Sequence, residues 1–151
     1  MSDPTRVTTV GFVGLGNMGG PMTRKLVESG YVVQAYDVVP AARAAAVAAG
    51  ATEALSLGEA ARGADALILM LPNSQIVESV LTDDSLRGAL APGSTVIDMS
   101  SSEPMKTREL ADRLAELGVS MVDAPVSGGV RGAEAGTLTI NSSFVAVVTS
   151  A

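Results

Sequence analysis

The sequence predicts an α/β fold, a doubly wound, mainly parallel sheet with helices on both faces. Short β-rich runs alternate with helical segments along the chain, the order that builds parallel strands through helical crossovers. The apolar residues make up 47% of the chain and are aliphatic rather than aromatic (3%), which suits a sheet buried under helices. A length of 151 residues fits one domain with a full core.

Val7 to Val13 reads as the first strand. Asn17 to Glu28 reads as a helix, with Met18, Met22, Leu26 and Val27 on one face and Gly30 ending it. Tyr31 to Tyr36 is a second strand, and Ala41 to Ala49 an Ala-rich helix closed by Gly50. Ser56-Leu57-Gly58-Glu59 has the spacing of a capping box and opens a short helix. Ala66 to Leu71 is a fully apolar strand ended by Pro72, followed by a helix over Ser74 to Leu81. Thr95 to Met99 is a strand, and Glu103 to Leu117 a helix with Leu110, Leu114 and Leu117 aligned. Val119 to Asp123 is another strand, and Pro125 to Gly136 reads as a Gly-rich loop.

Composition narrows the chemistry. Without Cys there are no disulfides, thiolate nucleophiles or Cys-ligated zinc. Without His, the commonest general base and metal ligand is missing, so no metal is expected and proton transfer falls to Lys, Asp, Glu, Tyr or water. The net charge of −6 is interleaved rather than blocked, which argues against a nucleic-acid partner. The N-terminus is short and polar and the longest apolar run is too short to span a bilayer. A soluble, cytoplasmic protein with no membrane partner is expected.

Ligands of such sheets sit at the carboxyl ends of strands, and there lies Gly14-Leu15-Gly16-Asn17-Met18-Gly19. A bare G-x-G-x-x-G is weak, but this one follows a strand and opens a helix, the setting of a Rossmann-type dinucleotide site. Gly14 permits the tight turn, Gly16 lets the backbone approach a pyrophosphate, and Gly19 lets helix and strand pack closely. The helix N-terminus then meets the phosphate charge. Asp37 ends the second strand, 18 residues after Gly19. Alone it is equally an acid capping the next helix at Pro40. Beside the glycine turn it is placed to accept from ribose hydroxyls and repel a 2′-phosphate, which favours NAD over NADP. No Arg or Lys follows it until Arg43, so a 2′-phosphate is expected to find no close basic partner.

Four stretches together resemble the β-hydroxyacid dehydrogenases, the family of 3-hydroxyisobutyrate dehydrogenase, tartronate semialdehyde reductase and, more distantly, 6-phosphogluconate dehydrogenase. They are Gly11 to Met22, Met70-Leu71-Pro72-Asn73, Ile97-Asp98-Met99-Ser100-Ser101, and Asp123 to Ala133 continued by Gly136-Thr137-Leu138-Thr139. The resemblance implies that Leu71, Pro72 and Asn73 line the cofactor and that Ser101 lies near the nicotinamide. It implies too that Ser127, Gly128 and Gly129 hold the carboxylate of a small β-hydroxyacid substrate. Paired glycines suit that role by exposing backbone N–H groups, although Ser-Gly-Gly is also a common loop sequence. Tyr36-Asp37-Val38 is most similar to the 3-hydroxyisobutyrate members, which use NAD.

The resemblance stops short of the chemistry. Its base is a Lys in a helix beyond the nucleotide domain, and neither Lys25 nor Lys106 occupies that position, so no catalytic residue is assigned. Residues 1–140 are expected to form the NAD-binding domain and 141–151 an atypical tail. The family's helical C-terminal domain is expected to be absent, and with it activity and the homo-oligomer that it builds. Two other readings stay open. A redox-sensing NAD module would distinguish NAD from NADH without a hydroxyacid, and a keto-acid or imine reductase fragment would prefer NADPH.

Overall fold

A computed structural model describes residues 6–140 and 143–146. The elements in order are β1 (Thr9–Val13), α1 (Gly19–Glu28), β2 (Val32–Tyr36), α2 (Pro40–Ala48), β3 (Thr52–Glu53), α3 (Leu57–Ala61) and β4 (Ala66–Leu69). Then come α4 (Ser74–Leu81), α5 (Asp84–Ala89), β5 (Thr95–Asp98), α6 (Pro104–Ala115) and β6 (Ser120–Asp123). The last are β7 (Val126–Ser127), α7 (Gly129–Ala135), β8 (Thr139–Ile140) and β9 (Ser143–Ala146). The main sheet runs β3-β2-β1-β4-β5-β6-β9. All its pairings are parallel except β6 with β9.

This order is the doubly wound α/β fold that the alternation predicted. Its direction of growth reverses at β1, which pairs with β2 on one side and β4 on the other, so a crevice opens there at the carboxyl ends. Alternate strand residues feed two cores. Val13, Leu67, Leu69, Val96 and Met121 pack with α3, α4, α5 and α6 residues such as Ala60, Val77, Leu86 and Leu114. Val10, Phe12, Val33 and Ile68 pack with Met22, Ala46 and Ala133 from α1, α2 and α7. Met18, Leu26 and Val27 lie against this second core, as their helical spacing predicted.

The predicted strands and helices are present, with Ser74 to Leu81 unchanged and the ends of the others shifted by at most two residues. Ser56 caps α3 by accepting from the Glu59 N–H at 3.1 Å. Glu59 reaches back to the Leu55 N–H (2.6 Å) rather than to Ser56 itself. The expected loop Pro125 to Gly136 is different: it contains β7 and the helix α7. Gly129 and Gly132 lower the helix propensity of α7, but Ala133 is buried in the core and Gly132 packs closely under Leu138. Packing overrides propensity here. Of the tail, residues 143–146 form β9 on the sheet edge, while residues 141, 142 and 147–151 lie outside the described residues.

Candidate dinucleotide site

At the crevice beside β1, the turn from Gly14 to Gly19 borders a cleft of about 560 Å³. Gly14, Gly16, Asn17, Met18 and Gly19 line it, together with Asp37, Leu71 and Pro72. Leu15 does not: its side chain is buried in the core, and it serves the site through its backbone.

Each glycine is required for a different reason. Gly14 has φ 102°, a conformation that side-chain-bearing residues rarely adopt, and its N–H donates to the Tyr36 carbonyl at 3.0 Å. At Gly19 a Cβ would fall 1.7 Å from the Gly14 carbonyl oxygen, so helix and strand meet only because none is there. At Gly16 a Cβ would have nothing within 4 Å. The first two permit the fold; Gly16 leaves space for something outside it. A backbone that leaves such space at a helix N-terminus fits an approaching pyrophosphate.

Asp37, just beyond β2, is half-buried. Its Oδ2 accepts from the Leu15 N–H at 2.8 Å and its Oδ1 from the Val39 N–H at 2.9 Å. One carboxylate thus ties the glycine turn to the residue before α2, although no side chain caps α2 itself. The expectation of no close basic group fails. Arg43 lies on α2 and donates from Nη1 to the Asp37 carbonyl at 2.7 Å, while its Nε pairs with Glu53 at 3.2 Å. Six residues separate Arg43 from Asp37 in sequence, and the first turn of α2 folds the distance away.

Sequence reasoning missed the far wall of the cleft. Val38, Leu57, Ile76, Ser79 and Val80 complete it. The only signal was Ile76 and Val80 at i, i+4 on α4, a spacing that reads as core. Val80 is indeed buried, but Ile76 stays 39% exposed.

Asn73 and Ser101 are not among the lining residues. The Asn73 side chain caps α4, accepting from the Ile76 N–H at 3.0 Å. Ser101 is exposed in the loop after β5, between the buried Ser100 and the half-buried Ser102. Ser127 ends β7, paired with Thr139 of β8, and Gly128 and Gly129 start α7 with φ of 124° and 59°. Asp123 ends β6 as the register partner of Asp98, and its carboxyl is pushed above the usual range, first by burial and then by the Asp98 charge. The lysines are engaged elsewhere. Lys106 pairs with Glu78 at 3.0 Å, joining α6 to α4 and raising its own pKa, and Lys25 pairs with Glu28 at 3.4 Å.

Comparison with known proteins agrees with this geometry. Residues 9–143 match the family described as the NAD binding domain of 6-phosphogluconate dehydrogenase. An NAD-dependent L-serine dehydrogenase of Pseudomonas aeruginosa is 47% identical over 131 residues, covering 86% of this chain and 44% of that protein. A solved structure of the 3-hydroxyisobutyrate dehydrogenase of Mycobacterium tuberculosis with L-serine superposes with a TM-score of 0.86 at 40% identity. That match covers 91% of this chain and 46% of the other. A structure of Psf3 in complex with NADP+ and 2-OPP has a TM-score of 0.84 at 31% identity, covering 89% and 48%. The chain thus spans less than half the length of these relatives.

Proposed function

Because this chain belongs to the family of the NAD-binding domain of 6-phosphogluconate dehydrogenase, whose relatives include 3-hydroxyisobutyrate-type dehydrogenases, we propose that it holds NAD rather than NADP for hydride exchange with a small β-hydroxyacid. The observation carrying this reading is the Asp37 carboxylate, fixed by Leu15 at the rim of the cleft that Gly16 leaves open. The turn from Gly14 to Gly19 takes the pyrophosphate. Asp37 accepts from the adenosine ribose hydroxyls and sets a negative charge where a 2′-phosphate would lie. Arg43 sits beside it, with its guanidinium shared between the Asp37 carbonyl and the Glu53 carboxylate.

Leu71, Pro72, Asn73 and Ser101 follow the cofactor towards its nicotinamide, which when bound supplies the hydride acceptor. Ser127, Gly128 and Gly129 receive the substrate carboxylate, with the hydroxyl of Ser127 and the backbone N–H groups as donors. Neither Lys25 nor Lys106 lines the cleft, so this chain binds cofactor without providing the family's base.

Calorimetric titration of NADH and NADPH tests the reading. NADH should bind the tighter, and Asp37→Ala should weaken NADH about 10- to 100-fold while narrowing the gap to NADPH. Tighter binding of NADPH by the unaltered chain would favour the reductase reading instead.

A further inference from the structure

Asp98, at the end of β5, is a carboxylate with no exposed surface. No Lys or Arg pairs with it among the described residues. Burying an unpaired charge is costly, so its hydrogen-bond partners matter. Oδ1 accepts from the Ser100 N–H at 2.9 Å and Oδ2 from the Ser102 hydroxyl at 2.7 Å. The buried Ser100 in turn accepts, at its Oγ, the Leu71 N–H at 2.8 Å. A second bond spans the same two loops, from the Glu103 N–H to the Ser74 Oγ at 2.7 Å. The carboxylate thus grips the residue on either side of Ser101 in the loop after β5, and the hydroxyl oxygens of Ser100 and Ser74 tie that loop to the one after β4.

We propose that Asp98 is a positioning residue for the cofactor: through Ser100 and Ser102 it holds Leu71 and Ser101 where the nicotinamide half of the dinucleotide passes. The proposal rests on the NAD reading above. On that reading the network supports the nicotinamide half of the cofactor path, which a role in folding alone would not single out. The glycine turn and Asp37, which take the adenosine and pyrophosphate, share none of these bonds.

The test titrates AMP and NADH separately into the full chain and into Ser100→Ala, Ser102→Ala and Asp98→Asn. AMP reports the adenosine half only. The unaltered chain should bind NADH more tightly than AMP. Ser100→Ala should weaken NADH about tenfold, a change of one decade in affinity, and leave AMP within about twofold. Ser102→Ala should act in the same direction. Hydrogen exchange of the Leu71 amide should quicken in Ser100→Ala without any ligand, as its acceptor is gone. If Asp98→Asn does not fold, the two serine variants still decide. Equal weakening of AMP and NADH, or no weakening of NADH, would overturn the proposal, as would equal binding of both by the unaltered chain. Failure of that chain to bind either ligand would refute the NAD reading itself, an outcome distinct from these.

Discussion

Replacing Gly16 and Gly19 separately by Ala distinguishes a glycine needed by the ligand from one needed by the fold. At Gly16 a methyl group meets nothing within 4 Å and the backbone is not in the positive-φ region, so Gly16→Ala should melt within about 2 °C of the unaltered chain, well under 1 kcal/mol. The same methyl projects into the space assigned to the pyrophosphate and holds it away from the N–H groups of the turn. A hydrogen bond to a charged group contributes about 1.5–3 kcal/mol, so losing one weakens NADH about 10- to 150-fold. At Gly19 the new Cβ would sit 1.7 Å from the Gly14 carbonyl oxygen and 2.8 Å from its carbon, with Phe12 at 3.1 Å. Backbone faces backbone, so α1 must retreat by more than an ångström. Overpacking of this kind costs about 1–3 kcal/mol, or about 2–12 °C in Tm for a chain of this length. Thermal melts followed by NADH titration read both effects. Wild-type NADH affinity in Gly16→Ala, or a loss of Tm there equal to that of Gly19→Ala, would show that Gly16 does not make room for a pyrophosphate.

Asn73→Ala removes the α4 cap and should lower stability by about 1 kcal/mol, seen as a fall of about 2–4 °C in Tm. Acid titration should show two opposed contributions. The Asp65 carboxyl is held below its usual 3.8 chiefly by the Thr9 N–H, and that of Asp83 chiefly by the Ser85 hydroxyl. Their contribution is complete above 3.8 and is lost as pH falls through the lower folded values. Asp123 has a raised folded pKa, so its charge opposes folding at neutral pH and ceases to do so on protonation. Asp123→Asn should therefore raise Tm at pH 7 by about 1–3 °C, and the gain should disappear as pH falls towards 3.8 in a series of melts. Finally, steady-state NADH formation from NAD and 3-hydroxyisobutyrate or L-serine should be negligible with this chain alone, since general-base catalysis contributes about 10²–10⁴-fold. Robust turnover would show that another group in this chain supplies the base.

The sheet and its turn were legible because their signals are local. The apolar run through Leu69, the capping Ser56 and the glycines at 14, 16 and 19 each act within a few residues. Elements without such signals were not seen. The six residues of α5 are too few for apolar periodicity, and β3 is two residues held by Gln34 and Ala35 of its neighbour. In α7 the glycines concealed a helix that packing against Leu138 and the core makes stable.

A strand, a glycine turn and a helix can be read directly from the order of residues, with an acid just after the next strand. That pattern is legible because backbone freedom and charge at short range define it. How the polar atoms are shared depends on contacts between residues far apart in the chain. Asp37 bonds across 22 residues to Leu15, and Ser100 across 29 to Leu71. Arg43 turns back onto the Asp37 carbonyl, and Asn73 gives its oxygen to a helix end. Such hydrogen bonds need atoms about 3 Å apart in a fixed direction, and that depends on how the crossovers bring strand ends together.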